Sequence, residues 1–138
     1  MSTIQTLLVV YFFQQCQDKG ARLVEIESVE KNQLVIDLII NHELTYPNTT
    51  SNYFIGLRRF ECWVWLSDTP ICYSNWLPGE PSDLPTENEE CGVMDFQGDL
   101  RAWNDLSCRD PTLGVCELLW RRSKKSTLNV KLHFSGNV

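Results

Sequence analysis

The chain has 138 residues, 43% of them hydrophobic and 22% charged, a balance that fits one globular domain and excludes both a disordered chain and two ordinary domains. Its net charge of −6 is unevenly spread: up to Trp120 there are 7 bases against 18 acids, and Arg121, Arg122, Lys124, Lys125 and Lys131 follow. So acidic a body repels phosphate backbones, which excludes nucleic acid as its partner.

From the N-terminus, Ile4, Leu7, Leu8, Tyr11 and Cys16 fall near one helical face and Gly20 supplies a stop, predicting a helix over about 3–19. The apolar run 4–13 has no basic residue ahead of it and no small-residue cleavage site behind it, and it is too short to span a bilayer. The chain therefore reads as lacking its original N-terminal segment. Residues 21–26 alternate as a short strand. Ser28 is the expected N-cap of a second helix, with Leu34, Val35, Leu38 and Ile39 as its apolar face. A polar loop over 42–52 contains Asn48-Thr49-Thr50, which makes Asn48 an acceptor for N-glycosylation.

Beyond Tyr53 short β-like runs alternate with Pro, Gly, Asn and Asp turns, predicting strands at 53–58, 62–66, 93–96, 101–104 and 113–118. Between them a segment of about 76–90 holds Pro78, Pro81 and Pro85 and little apolar content, and loops of that length inside compact domains are usually functional. Near the end, Leu128, Val130, Leu132 and Phe134 alternate with polar residues as a half-buried strand would. Helices first and strands after predict an α+β fold, with 1–119 as the domain and 120–138 as a basic tail carrying at most one strand.

From Phe60 to Leu100 there are nine acidic residues and no Lys or Arg. Crowded carboxylates repel one another unless a cation or solvent compensates them. Glu80-Pro81-Ser82 and Glu89-Glu90-Cys91 lie within this stretch, and Trp103-Asn104-Asp105 just beyond it. Carboxylate, amide and hydroxyl oxygens are hard donors that suit calcium rather than zinc or iron, so a calcium site is the first expectation. Glu87, Asp95 and Asp99 are read as solvated surface charge, and His42 and His133 have no acid or nucleophile placed to form a triad. The six cysteines form an even set without a C-x-x-C pair, which excludes a zinc ribbon or thioredoxin-like motif. Disulfides are expected, their pairing open at this point, and with the sequon they fit an exported protein.

These residues resemble a C-type lectin domain from about Phe12 to Leu118. The likeness rests on Gly20-Ala21-Arg22-Leu23 with Ile26-Glu27-Ser28, Phe54-Ile55-Gly56-Leu57, Trp63-Val64-Trp65 and Tyr73-Ser74-Asn75-Trp76. Glu80-Pro81-Ser82, Glu89-Glu90-Cys91, Trp103-Asn104-Asp105 and Gly114-Val115-Cys116-Glu117 then follow in the family's order. Two departures stand out: the family's opening strand is absent, which would leave 113–118 an open edge, and the triplet reads Glu-Pro-Ser where Glu-Pro-Asn or Gln-Pro-Asp is usual.

The resemblance implies disulfides Cys16–Cys116 and Cys91–Cys108, with the extra Cys62 and Cys72 bonded across the turn 66–70. It implies one calcium ion held by Glu80, Ser82, Glu89, Asn104 and Asp105, with Pro81 in cis. The same five residues would bind a mannose-type glycan, two vicinal hydroxyls completing the calcium shell. A second calcium is not expected, because Arg58 and Arg59 stand near where its acids would be. The implied function is calcium-dependent carbohydrate binding by a secreted protein, possible oligomers adding avidity. The alternative is a lectin-like domain that binds protein or mineral surfaces without sugar. No enzyme activity is expected, since the carboxylates are committed to metal.

Overall fold

The computed structural model describes residues 14–47, 50–82, 88–110 and 112–118, together with the backbone of 133–135. Residues 14–18 are helical, and the remainder of the helix expected at 3–19 lies outside the described residues, as does Asn48. Strand β1 (Ala21–Leu23) leads into helix α1 (Val29–Thr45), followed by β2 (Asn52–Arg59), β3 (Trp63–Trp65), β4 (Cys91–Asp95), β5 (Ala102–Leu106), β6 (Leu113–Leu118) and β7 (His133–Ser135). The architecture is the α+β arrangement expected, with α1 packed on one mixed sheet.

Helix α1 begins where its sequence provides a cap. Ser28 Oγ accepts from the Lys31 backbone N–H at 3.2 Å, and Glu30 adds a negative charge to the first turn. Its buried residues are Lys31, Asn32, Val35, Ile36 and Ile39. The expected face was therefore rotated: Leu34 and Leu38 are only half-buried, because Asn32 and Lys31 have partners beneath the helix that turn its first turn inward.

The sheet runs in the order β1-β6-β2-β4-β5, with β3 on β2 and β7 on β6. β2 and β6 pair in parallel, while β2 with β4 and β4 with β5 are antiparallel. The edge foreseen at β6 is covered: Gly114, Val115 and Cys116 pair with Ser135, Phe134 and His133 of the tail. Two glycines are required by close approach. A Cβ on Gly56 would lie 2.9 Å from the Leu23 carbonyl oxygen, and one on Gly92 would lie 2.7 Å from Leu57 Cβ.

The core gathers Tyr53, Trp65, Met94, Trp103 and Val115 from the sheet against Val35, Ile36 and Ile39 of α1. Trp103 is its hub, meeting Trp65, Tyr73 and Trp76 edge-on at 5.5, 5.8 and 5.8 Å. Each such pair adds about 0.5–1.5 kcal/mol beyond burial. Cys16 joins Cys116 across 100 residues and Cys91 joins Cys108 across 17. The longer loop is worth about 4.7 kcal/mol and the shorter about 3 kcal/mol in the chain-entropy account.

Cys62 and Cys72 are not bonded, contrary to expectation; both are exposed free thiols. The hairpin ladder ends at the Val64–Pro70 bridge, and each cysteine sits in a bend beyond it.

Candidate functional site

Side chains alternate across a strand, so β5 turns Trp103 and Asp105 to one face and Asn104 to the other. Trp103 and Asp105 are buried at 0% and 1% exposure. The long loop starts by fastening itself to this strand. The Trp103 backbone N–H donates to the Asn75 carbonyl at 2.7 Å, and the Leu77 N–H donates to the Trp103 carbonyl at 2.8 Å. A turn through Pro78 and Gly79, closed by Glu80 N–H to Leu77 carbonyl at 2.9 Å, reverses the chain; Gly79 takes φ +82°. The Glu80–Pro81 peptide is cis.

This route brings Ser82 onto Asp105. The Ser82 N–H donates to Asp105 Oδ1 at 3.3 Å, and its Oγ stands 3.1 Å from Glu89 Oε2 and 3.3 Å from Asp105 Oδ2, with one proton to give. Glu80 completes the cluster. A side-chain hydrogen bond with Asp105, then burial, then the Asp105 charge push its carboxyl up to about 7. Its Oε2 is buried without a hydrogen-bond partner.

Four of the five foreseen residues thus come together: Glu80, Ser82, Glu89 and Asp105. Asn104 does not join them. Its Nδ2 donates to Asp95 Oδ2 at 3.3 Å and its Oδ1 accepts from the Asp105 N–H at 2.9 Å. Asp95 was read as solvated but is 4% exposed, its Oδ1 accepting from the Gln97 N–H at 2.8 Å. Its place inside the run Val93-Met94-Asp95-Phe96 was the available signal. Glu87 lies outside the described residues, and Asp99 is exposed as read.

The donor set fits calcium in kind. It consists of hard oxygens from the long loop and β5, one of them a buried Glu80 carboxylate oxygen without a hydrogen-bond partner, and the loop belongs to the stretch 60–100 that has no Lys or Arg. Among the described residues no three His, Cys, Asp or Glu side chains already converge as a cage. The Ser82 hydroxyl, not a third acid, is what joins Glu89 to Asp105.

The family described as the lectin C-type domain matches residues 12–118. The chain belongs to that family. It is 32% identical over 107 residues to a mannose-binding protein of Gallus gallus, covering 75% of this chain and 37% of that one. Its lectin fold is similar to the human scavenger receptor C-type lectin carbohydrate-recognition domain, with TM-score 0.60, 27% identity and coverage of 75% and 77% of the two chains. It is also similar to a calcium-independent type II antifreeze protein, with TM-score 0.59, 25% identity and coverage of 75% and 72%. The chain spans less than half the length of the curated relatives it matches, from 24% to 42%. Those relatives are lectins and receptors rather than enzymes. Among the described residues no helix is long and apolar enough to cross a membrane.

Proposed function

We propose that this lectin domain binds mannose-type glycans through a calcium ion held by Glu80, Ser82, Glu89, Asn104 and Asp105. The observation that carries the proposal is the Ser82 hydroxyl set between the Glu89 and Asp105 carboxylates, beside a Glu80 whose second oxygen is buried without a partner. Like charges held this close need a proton or a cation between them. Calcium, when bound, would offer its spare coordination positions to two vicinal sugar hydroxyls.

The chain's own residues then set orientation. Glu80 and Glu89 would accept hydrogen bonds from the sugar hydroxyls, and Asn104 would add a carbonyl ligand and an N–H donor only after its whole side chain leaves Asp95. Ser82 offers one O–H where an amide would offer two N–H groups, which costs about 1 kcal/mol of sugar affinity. We further propose a secreted glycoprotein with glycan modification at Asn48, oligomers giving avidity.

The test is a calcium titration by calorimetry, followed by retention on mannan and on galactan with and without chelator. Chelator-sensitive retention on mannan that Glu80→Ala and Asp105→Ala both abolish is the expected result; retention surviving in both variants rules the site out. A second reading, binding to protein or mineral surfaces without sugar, is favoured by the turn of Asn104 toward Asp95 and by the likeness to a calcium-independent antifreeze protein. Calcium uptake without chelator-sensitive sugar retention would favour it.

A further inference from the structure

The two halves of the proposed site meet at one residue, Trp103. Its backbone N–H and carbonyl are both taken by the loop, through Asn75 and Leu77, and Leu77 in turn holds Glu80. Its successor two places on, Asp105, shares its face of β5. A shift of Trp103 is therefore passed to both the strand and the loop that carry the oxygens.

Three aromatic rings contact the indole, but ring contacts alone leave its rotation soft. One directed bond fixes it. The Trp103 Nε1–H donates to Asn32 Oδ1 at 2.9 Å, across 71 residues of sequence, with both residues buried. Asn32 is itself held rigidly, because its N–H donates to the Ser28 carbonyl at 3.0 Å in the capped first turn of α1. A buried indole N–H denied its acceptor is left unsatisfied, and repacking to relieve it falls on the residue whose backbone holds Leu77 and leads to Asp105.

We infer that Asn32 is a positioning residue for the calcium site, acting through the Trp103 indole on Glu80, Ser82 and Asp105; the inference rests on the calcium reading above. The experiment measures calcium affinity by calorimetry, well below the melting temperature, for the full chain and for Asn32→Leu, Trp103→Phe, the double variant and Ile39→Val. Ile39→Val is the control for a buried change in the same helix and core that removes none of the hydrogen bonds of this relay.

Asn32→Leu is expected to weaken calcium binding about tenfold, as loss of outer-shell support typically does. The control should stay within about twofold of the parent chain, the range of independent sites. In the Trp103→Phe background Asn32→Leu should cost nothing more, because the bond is already gone. Asn32→Ala, which withdraws the acceptor and adds no bulk, serves if Asn32→Leu does not fold. Calcium affinity equal to the parent's in a folded Asn32 variant, or costs that multiply fully in the double variant, would overturn the inference alone. A parent chain that takes up no calcium would overturn the calcium reading and this inference with it.

Discussion

Two clusters of acids in this domain have opposite electrostatics. Beneath α1, Glu117 is 6% exposed yet its oxygens lie 2.7 Å from Lys31 Nζ and 2.9 Å from Arg22 Nε. Lys31, 3% exposed, also meets Glu27 at 3.0 Å, and Glu25 accepts from the Ser67 N–H and hydroxyl at 2.9 and 2.7 Å. Every charge there has an answering charge or donor. Around Ser82, by contrast, Glu89 and Asp105 meet at one hydroxyl beside Glu80, and Glu80 is pushed up to about 7. The first cluster neutralises itself and belongs to stability. The second crowds acids around one hydroxyl, and so is the candidate for function.

Breaking this contrast at its stable end should have the largest effect. Lys31→Met leaves a buried carboxylate with half its compensation, and the domain should lose about 3–5 kcal/mol in urea unfolding, as broken buried pairs do. Asp105→Asn is the mirror experiment. It removes one of the crowded like charges, so melting of the metal-free domain should be unchanged or higher while calcium affinity falls roughly a hundredfold. If Asp105→Asn destabilised the metal-free domain as Lys31→Met does, the two clusters would be alike and the distinction would be lost.

The pH dependence sharpens the same point. With its folded-state value raised to about 7, Glu80 binds a proton that calcium must displace. Calcium affinity should therefore fall about tenfold per pH unit below about 7, with one proton released per ion, measurable by titration in buffers of different ionisation enthalpy. For the metal-free domain the sign is opposite. The folded state holds the proton more tightly than the unfolded chain, so this group's stabilisation is full below the ordinary carboxylate range and is lost as pH rises through about 7. Ser82→Ala should have the smallest effect, lowering calcium affinity about fivefold, near 1 kcal/mol, through loss of one neutral hydroxyl.

Much of this was legible before any coordinates. The strand at 113–118 coincides with β6 and Ser28 caps α1, because caps and turn residues are local signals; that residues of 80–82, 89–91 and 103–105 meet was implied by the family resemblance. The failures share a cause. Asp95 was misread because its solvent access depends on β5 lying alongside. The apolar face of α1 was misjudged because buried Lys31 and Asn32 look polar in isolation, and their partners Glu117 and Trp103 lie far along the chain.

The order of residue types by itself determined that this is one acidic, cysteine-bearing α+β domain of the C-type lectin kind, with an oxygen-rich loop lacking cations. Only the tertiary structure decided which acids meet bases and which crowd together. It put Lys31 and Arg22 on Glu117 and turned Asn104 to Asp95. It also hung the site strand on an indole anchored to a helix 71 residues away. The physical reason is that a charge's fate depends on what stands within a few ångströms of it, and in this fold those neighbours come from remote parts of the chain.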